Sequence, residues 1–113
     1  MFSYYVLHHA VRVDPQHGDT TTDIVVLNNR TDLVHVLDDL RGGDAEDHHY
    51  WLFSEIRVFQ HGRQVSTVDL LGPVEPARWA LDLDLPPLVD PVLPVGHPVV
   101  VDGWPVRYGR TVL

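Results

Sequence analysis

Apolar positions fall along this chain in three rhythms, and each predicts a different element. From Phe2 to Val13, aromatic and β-branched residues follow one another with little polar relief on either parity. That fits a strand covered on both faces and central in its sheet. The stretch Asp14-Pro15-Gln16-His17-Gly18-Asp19 has the residues of a turn, and Thr22 to Leu27 supplies a second strand, so a long hairpin is the simplest join.

The second rhythm is helical. Leu33, Val36, Leu37 and Leu40 recur at the i, i+3, i+4, i+7 spacing of one apolar stripe. Thr31 is a good N-cap, Asp32 complements the positive end of the helix dipole, and Gly42-Gly43 ends the element after roughly ten residues. A helix this short is unstable alone in water, so the sheet must cover its stripe, leaving His35, Asp38 and Asp39 outward.

Alternation returns after the acidic segment Asp44-Ala45-Glu46-Asp47. Tyr50 to Phe59 is strand-like, and His61-Gly62 turns it back through Arg63 to Asp69. A two-residue loop pairs Val58 with Val65 and Ile56 with Thr67, and puts Arg57, Phe59, Gln64 and Ser66 on the other side. Trp79 to Leu85 alternates strictly, with Trp79, Leu81, Leu83 and Leu85 inward. Prolines at 86, 87, 91, 94 and 98 then remove amide donors at short intervals, which excludes a helix or a central strand and predicts an extended arm or crossover. Finally Val99-Val100-Val101 meets the turn Asp102-Gly103 and returns as Trp104-Pro105-Val106-Arg107-Tyr108, with Pro105 at an edge. The expected fold is α+β, a mostly antiparallel sheet or small barrel with one short helix packed on it, in a single domain spanning residues 1–113.

Composition narrows the chemistry. Eight basic residues, all arginine, face sixteen acidic ones, for a net charge of −8. A negative exterior repels phosphate backbones and anionic lipid, so neither nucleic acid nor a membrane is an expected partner. The absence of lysine removes Schiff-base chemistry and the phosphate-cradling lysine of a Walker A loop. The absence of cysteine removes thiol nucleophiles, cysteine-ligated metal and disulfides. Ser3, Ser54 and Ser66 are the only serines, none in Gly-x-Ser-x-Gly, and no Gly-x-Gly-x-x-Gly loop is present. No pattern asks for a cofactor. The amino-terminal residues lack the basic flank and uninterrupted apolar core of a secretory signal, which makes a cytoplasmic protein the expectation; lysine-free, Val-, Arg- and Asp-rich composition suggests a GC-rich bacterial genome.

Eight histidines raise the question of metal. The candidate ligands are His8, His9, His48 and His49, the last two beside Asp44, Glu46 and Asp47. Spacing opposes a single site, because adjacent histidines on a strand point to opposite faces, and no His-x-His or His-Glu-x2-His pattern occurs. Asp82 and Asp84 lie on one face of their predicted strand, about 7 Å apart by strand rise, but alternating Leu and Asp is what any solvated strand face looks like.

The aromatic residues are more suggestive. Arg57, Phe59, Trp104, Arg107 and Tyr108, with the acids Asp38, Asp39, Asp44, Glu46 and Asp47, have the makings of a partner-binding surface, since interfaces favour Trp, Tyr and Arg. The expectation is therefore a small acidic, non-catalytic protein-binding domain engaging a basic protein partner. Immunity proteins, antitoxins and adaptor subunits share this character at the level of composition, though no motif here identifies a family. Two alternatives stay open: a small His- or metal-assisted enzyme of cyclase or isomerase type with its pocket in a β-barrel, and a homo-oligomeric structural subunit, a homodimer in its simplest form.

Overall fold

The computed structural model describes residues 1–14, 19–42, 51–70 and 85–112. The described elements are strand β1 (Tyr4–Asp14), β2 (Asp19–Leu27), helix α1 (Arg30–Gly42), β3 (Trp51–Gln60), β4 (Arg63–Asp69), β5 (Val99–Val101), β6 (Trp104–Val106) and β7 (Gly109–Val112). Five strands form one antiparallel sheet in the order β4-β3-β1-β2-β7, and β5 and β6 make a separate two-stranded sheet. The fold is α+β. Among the described residues the main sheet is open, with β4 and β7 at its edges, so the barrel form of the expectation is corrected.

β1 is central, and its unrelieved apolar run has a direct cause: each parity feeds a different core. Tyr5 and Leu7 join Val25, Leu27, Ile56 and Val58 beneath Leu33 and Leu37 of α1. Tyr4 and Val6 join Ile24, Val26, Leu93, Val101 and Val106 on the opposite face. Helix and β5–β6 hairpin therefore sandwich the sheet, and each buried aliphatic chain contributes roughly 1.5–3 kcal/mol.

The helix starts two residues earlier than expected and runs for 13 residues, taking in Gly42. Its cap is Asn29, not Thr31: Asn29 Oδ1 accepts the Asp32 amide at 2.8 Å, and Asn29 Nδ2 donates to Asp32 Oδ2 at 2.9 Å. The mutual grip satisfies an amide that the first helical turn leaves without a partner. Thr31 is exposed on the first turn. His35, Asp38 and Asp39 face outward as expected.

The β3–β4 hairpin turns on His61 and Gly62, both at positive φ, and Gln60 pairs with Arg63 and Phe59 with Gln64, the register of a two-residue loop. A bulge then shifts the ladder by one, so that Ile56 faces Val68 and Val58 faces Ser66. The expected pairs Val58–Val65 and Ile56–Thr67 are corrected. Val65 is the extra residue and stays 51% exposed, while Val68 packs on the helix-side core. Ser66 accordingly sits on the face of Val58, not of Arg57.

Residues 85–93 form the expected arm, and it changes faces. Leu85 and Leu88 pack on the helix-side core and Leu93 on the other. Because prolines cannot donate, the sheet side supplies most donors: the Tyr5 hydroxyl to Pro86 O at 3.1 Å, Gln60 Nε2 to Pro87 O at 2.8 Å, and the Ser3 amide to Pro91 O at 3.0 Å. The Val89 and Leu93 amides return bonds to Gln60 Oε1 and Ser3 O. This crossover is what delivers β5–β6 to the face opposite the helix. The return strand breaks after Val106, and Gly109–Val112 crosses to pair with β2, an edge strand the hydrophobic pattern did not predict. The predicted strand from Trp79, except Leu85, and the turn at 15–18 lie outside the described residues.

Candidate functional site

Asp102 and Gly103 both adopt positive φ, which makes a tight turn whose twist matches its strands. The turn carries Asp102 over the sheet face on which Val6 pairs with Arg57 and His8 with Glu55. There Arg57 Nη1 and Nη2 donate to Asp102 Oδ1 and Oδ2 at 2.8 and 2.7 Å, while Arg57 Nε donates to Glu55 Oε1 at 2.7 Å. His8 Nδ1 lies 3.9 Å from Asp102 Oδ2. The Arg57 guanidinium holds the Asp102 carboxyl below its ordinary range, and the two carboxylates in turn raise Arg57. A planar fork gripping a carboxylate fixes direction as well as distance, so the hairpin tip is held in one orientation.

Beside that anchor the hairpin is apolar and open. Trp104 is 54% exposed and Val100 69% exposed, and Pro105, directly opposite Val100, is exposed as well. Val101 and Val106 are buried on the sheet-facing side of the hairpin, the side that Trp104 shares as the direct partner of Val101. Phe59 stacks on Tyr4 at 4.9 Å between ring centres and packs against the same core. Of the sequence-predicted residues, the fold thus brings Arg57, Phe59 and Trp104 to one face.

Others go elsewhere. Arg107 is exposed beyond β6, and Tyr108 is half-buried, with its hydroxyl donating to Asn28 Oδ1 at 2.9 Å and lying 3.2 Å from Asp32 Oδ2, at the start of the helix. Burial is the main cause that raises the Tyr108 phenol above its usual range. Asp38 and Asp39 project from α1, on the side of the sheet opposite Trp104. Asp44, Glu46, Asp47, His48 and His49 lie outside the described residues.

His8 and His9 do point to opposite faces. His9 is buried on the helix side, in a polar row that the sequence reading did not isolate: Ser54, His9 and Asp23 are cross-strand neighbours on β3, β1 and β2. His9 Nδ1 is 3.2 Å from Ser54 Oγ, and Arg110 on β7 donates to Asp23 Oδ2 at 2.5 Å. Desolvation pushes the His9 imidazole down to about 4; nearby Asp23 works against this, and Arg110 and His8 add to it. The polarity of these positions amid apolar neighbours was the available signal. A hydroxyl beside an imidazole is the start of acid–base chemistry, but the linings of two surface cavities, of about 270 and 160 Å³, include neither Ser54 nor His9. Among the described residues no group of three or more His, Asp or Glu side chains could hold a metal ion, and no helix is long and apolar enough to cross a membrane.

No family model, no curated protein and no solved structure matches this chain.

Proposed function

We propose that this chain is a non-catalytic protein-binding domain that engages a basic protein partner, in the manner of an immunity protein, an antitoxin or an adaptor subunit. The observation that carries the reading is the half-exposed Trp104 on a hairpin whose tip is clamped to the sheet by Arg57 and Asp102. A large aromatic held on a rigid turn loses little freedom on binding, which is how a few residues come to supply most of an interface's energy. The net charge of −8 speeds and orients the approach of a cationic surface.

The test is affinity capture from extracts of the native cells with the wild-type chain and with Trp104→Ala, followed by calorimetry on the recovered protein. A basic partner whose affinity falls about 30-fold in the variant, equivalent to a hot spot of ~2 kcal/mol, with an unchanged melting temperature, supports the reading. Turnover of a small compound that is lost on His9→Ala, or a melting temperature that collapses in Trp104→Ala, overturns it.

A further inference from the structure

The β5–β6 ladder has one blocked edge and one open edge. A two-residue turn makes Val101 and Trp104 the hydrogen-bonded closing pair, so the next pair, Val100 with Pro105, is non-hydrogen-bonded and its backbone groups point outward, away from each other. On the β6 side that outward position belongs to a proline, which has no N–H and cannot accept an added strand. On the β5 side it belongs to Val100, whose N–H and C=O both point to the outer edge. Among the described residues nothing bonds to them, and the side chain is 69% exposed. The open stretch is short. Two positions earlier stands Pro98, whose carbonyl faces His97 Nδ1 at 2.8 Å, and two positions later the chain is already in the turn.

We infer that the outer edge of β5 seats an extended, basic strand of the partner, hydrogen-bonded to Val100 and packed against the outward face that Val100 and Pro105 share. This rests on the protein-binding reading and specifies its geometry. Unpaired edge groups are a template for strand addition, and an edge offering one residue's N–H and C=O supplies two hydrogen bonds, so side-chain packing and charge must supply most of the affinity. Net charge selects the occupant: a second copy would add its own −8 to the complex, whereas an arginine-bearing strand offsets the charge of the chain.

The test titrates the isotope-labelled full chain with a capped eight-residue peptide of alternating arginine and valine, read by amide NMR. The expected result is a saturable shift and slowed exchange of the Val100 amide, weakening with salt, with no response to a glutamate–valine peptide. Val100→Pro removes the outward donor without touching a ladder bond and should reduce affinity tenfold or more. Independently of that variant's folding, a peptide N-methylated on alternate amides should fail to bind the wild-type chain. An unperturbed Val100 amide, equal binding of the methylated peptide, or dimerisation of the chain through the same edge overturns the inference. A native partner that depends on Trp104 yet ignores Val100→Pro sinks strand addition alone; absence of any Trp104-dependent partner sinks the binding reading itself.

Discussion

Arg57 and Asp102 stand 45 residues apart in sequence and meet through two parallel hydrogen bonds of 2.8 and 2.7 Å, a side-chain link that ties the β5–β6 tip to the main sheet. The partners differ in exposure: 14% of the Arg57 side chain is accessible and 48% of Asp102. Solvent screens the Asp102 end, so the pair's coupling should be modest, about 0.5–1 kcal/mol in a double-mutant cycle of Arg57→Ala and Asp102→Asn measured by urea unfolding. Arg57→Ala alone should cost more, roughly 1–3 kcal/mol, because it also strips Glu55 of its partner. A coupling of zero would show that the hairpin is held by its apolar contacts alone.

Leu37 is 2% exposed beneath the helix. Leu37→Ala should destabilise by about 2–5 kcal/mol through lost burial and a residual cavity, and Leu37→Asp should prevent folding, since nothing in that core can pair with a carboxylate. A soluble Leu37→Asp protein with native circular dichroism would show that the stripe does not face the sheet.

The buried His9 makes stability depend on pH. Its folded pKa is about 4, below the ordinary value of 6.5, so between those values the unfolded chain binds the extra proton. Stability from this group is therefore complete above pH 6.5 and falls as the pH drops toward 4. The loss can reach roughly 3 kcal/mol at 1.36 kcal/mol per pKa unit. Chemical denaturation from pH 7.5 to 4 should show that decline, and His9→Gln, which keeps a hydrogen-bonding group beside Ser54, should flatten it. An identical pH profile in the variant would assign the acid sensitivity to other groups.

How much of this was legible follows from which interactions are local. The parity of Tyr4, Tyr5, Val6 and Leu7 announced a strand between two layers, and the His61-Gly62 and Asp102-Gly103 pairs announced their turns, because both signals reside in neighbouring residues. The bulge at Val65 was not legible: Val65 and Val68 have similar local preferences, and only burial of Val68 on the helix-side core separates them. The same holds at the candidate site. Arg57 and Trp104 were visible as interface-type residues, but the Asp102 clamp arises because the arm changes faces at the end of the sheet, a long-range event with no local signature.

The helix cap offers the sharpest contrast between local preference and tertiary context. Thr31 and Asn29 are both good capping types, yet Asn29 Oδ1 alone takes the Asp32 amide, and Tyr108 from the segment after β6 braces the adjoining Asn28 and Asp32 side chains. Asn29→Ala should therefore cost about 1 kcal/mol, and Thr31→Ala, on the exposed first turn, should stay within about 0.5 kcal/mol of wild type. Tyr108→Phe should cost about 1 kcal/mol, with part of that loss shared with Asn29→Ala because both act on Asp32. Thermal or urea unfolding of the four proteins and the Asn29→Ala/Tyr108→Phe double variant decides it. Equal losses at Thr31 and Asn29 would return the helix start to Thr31.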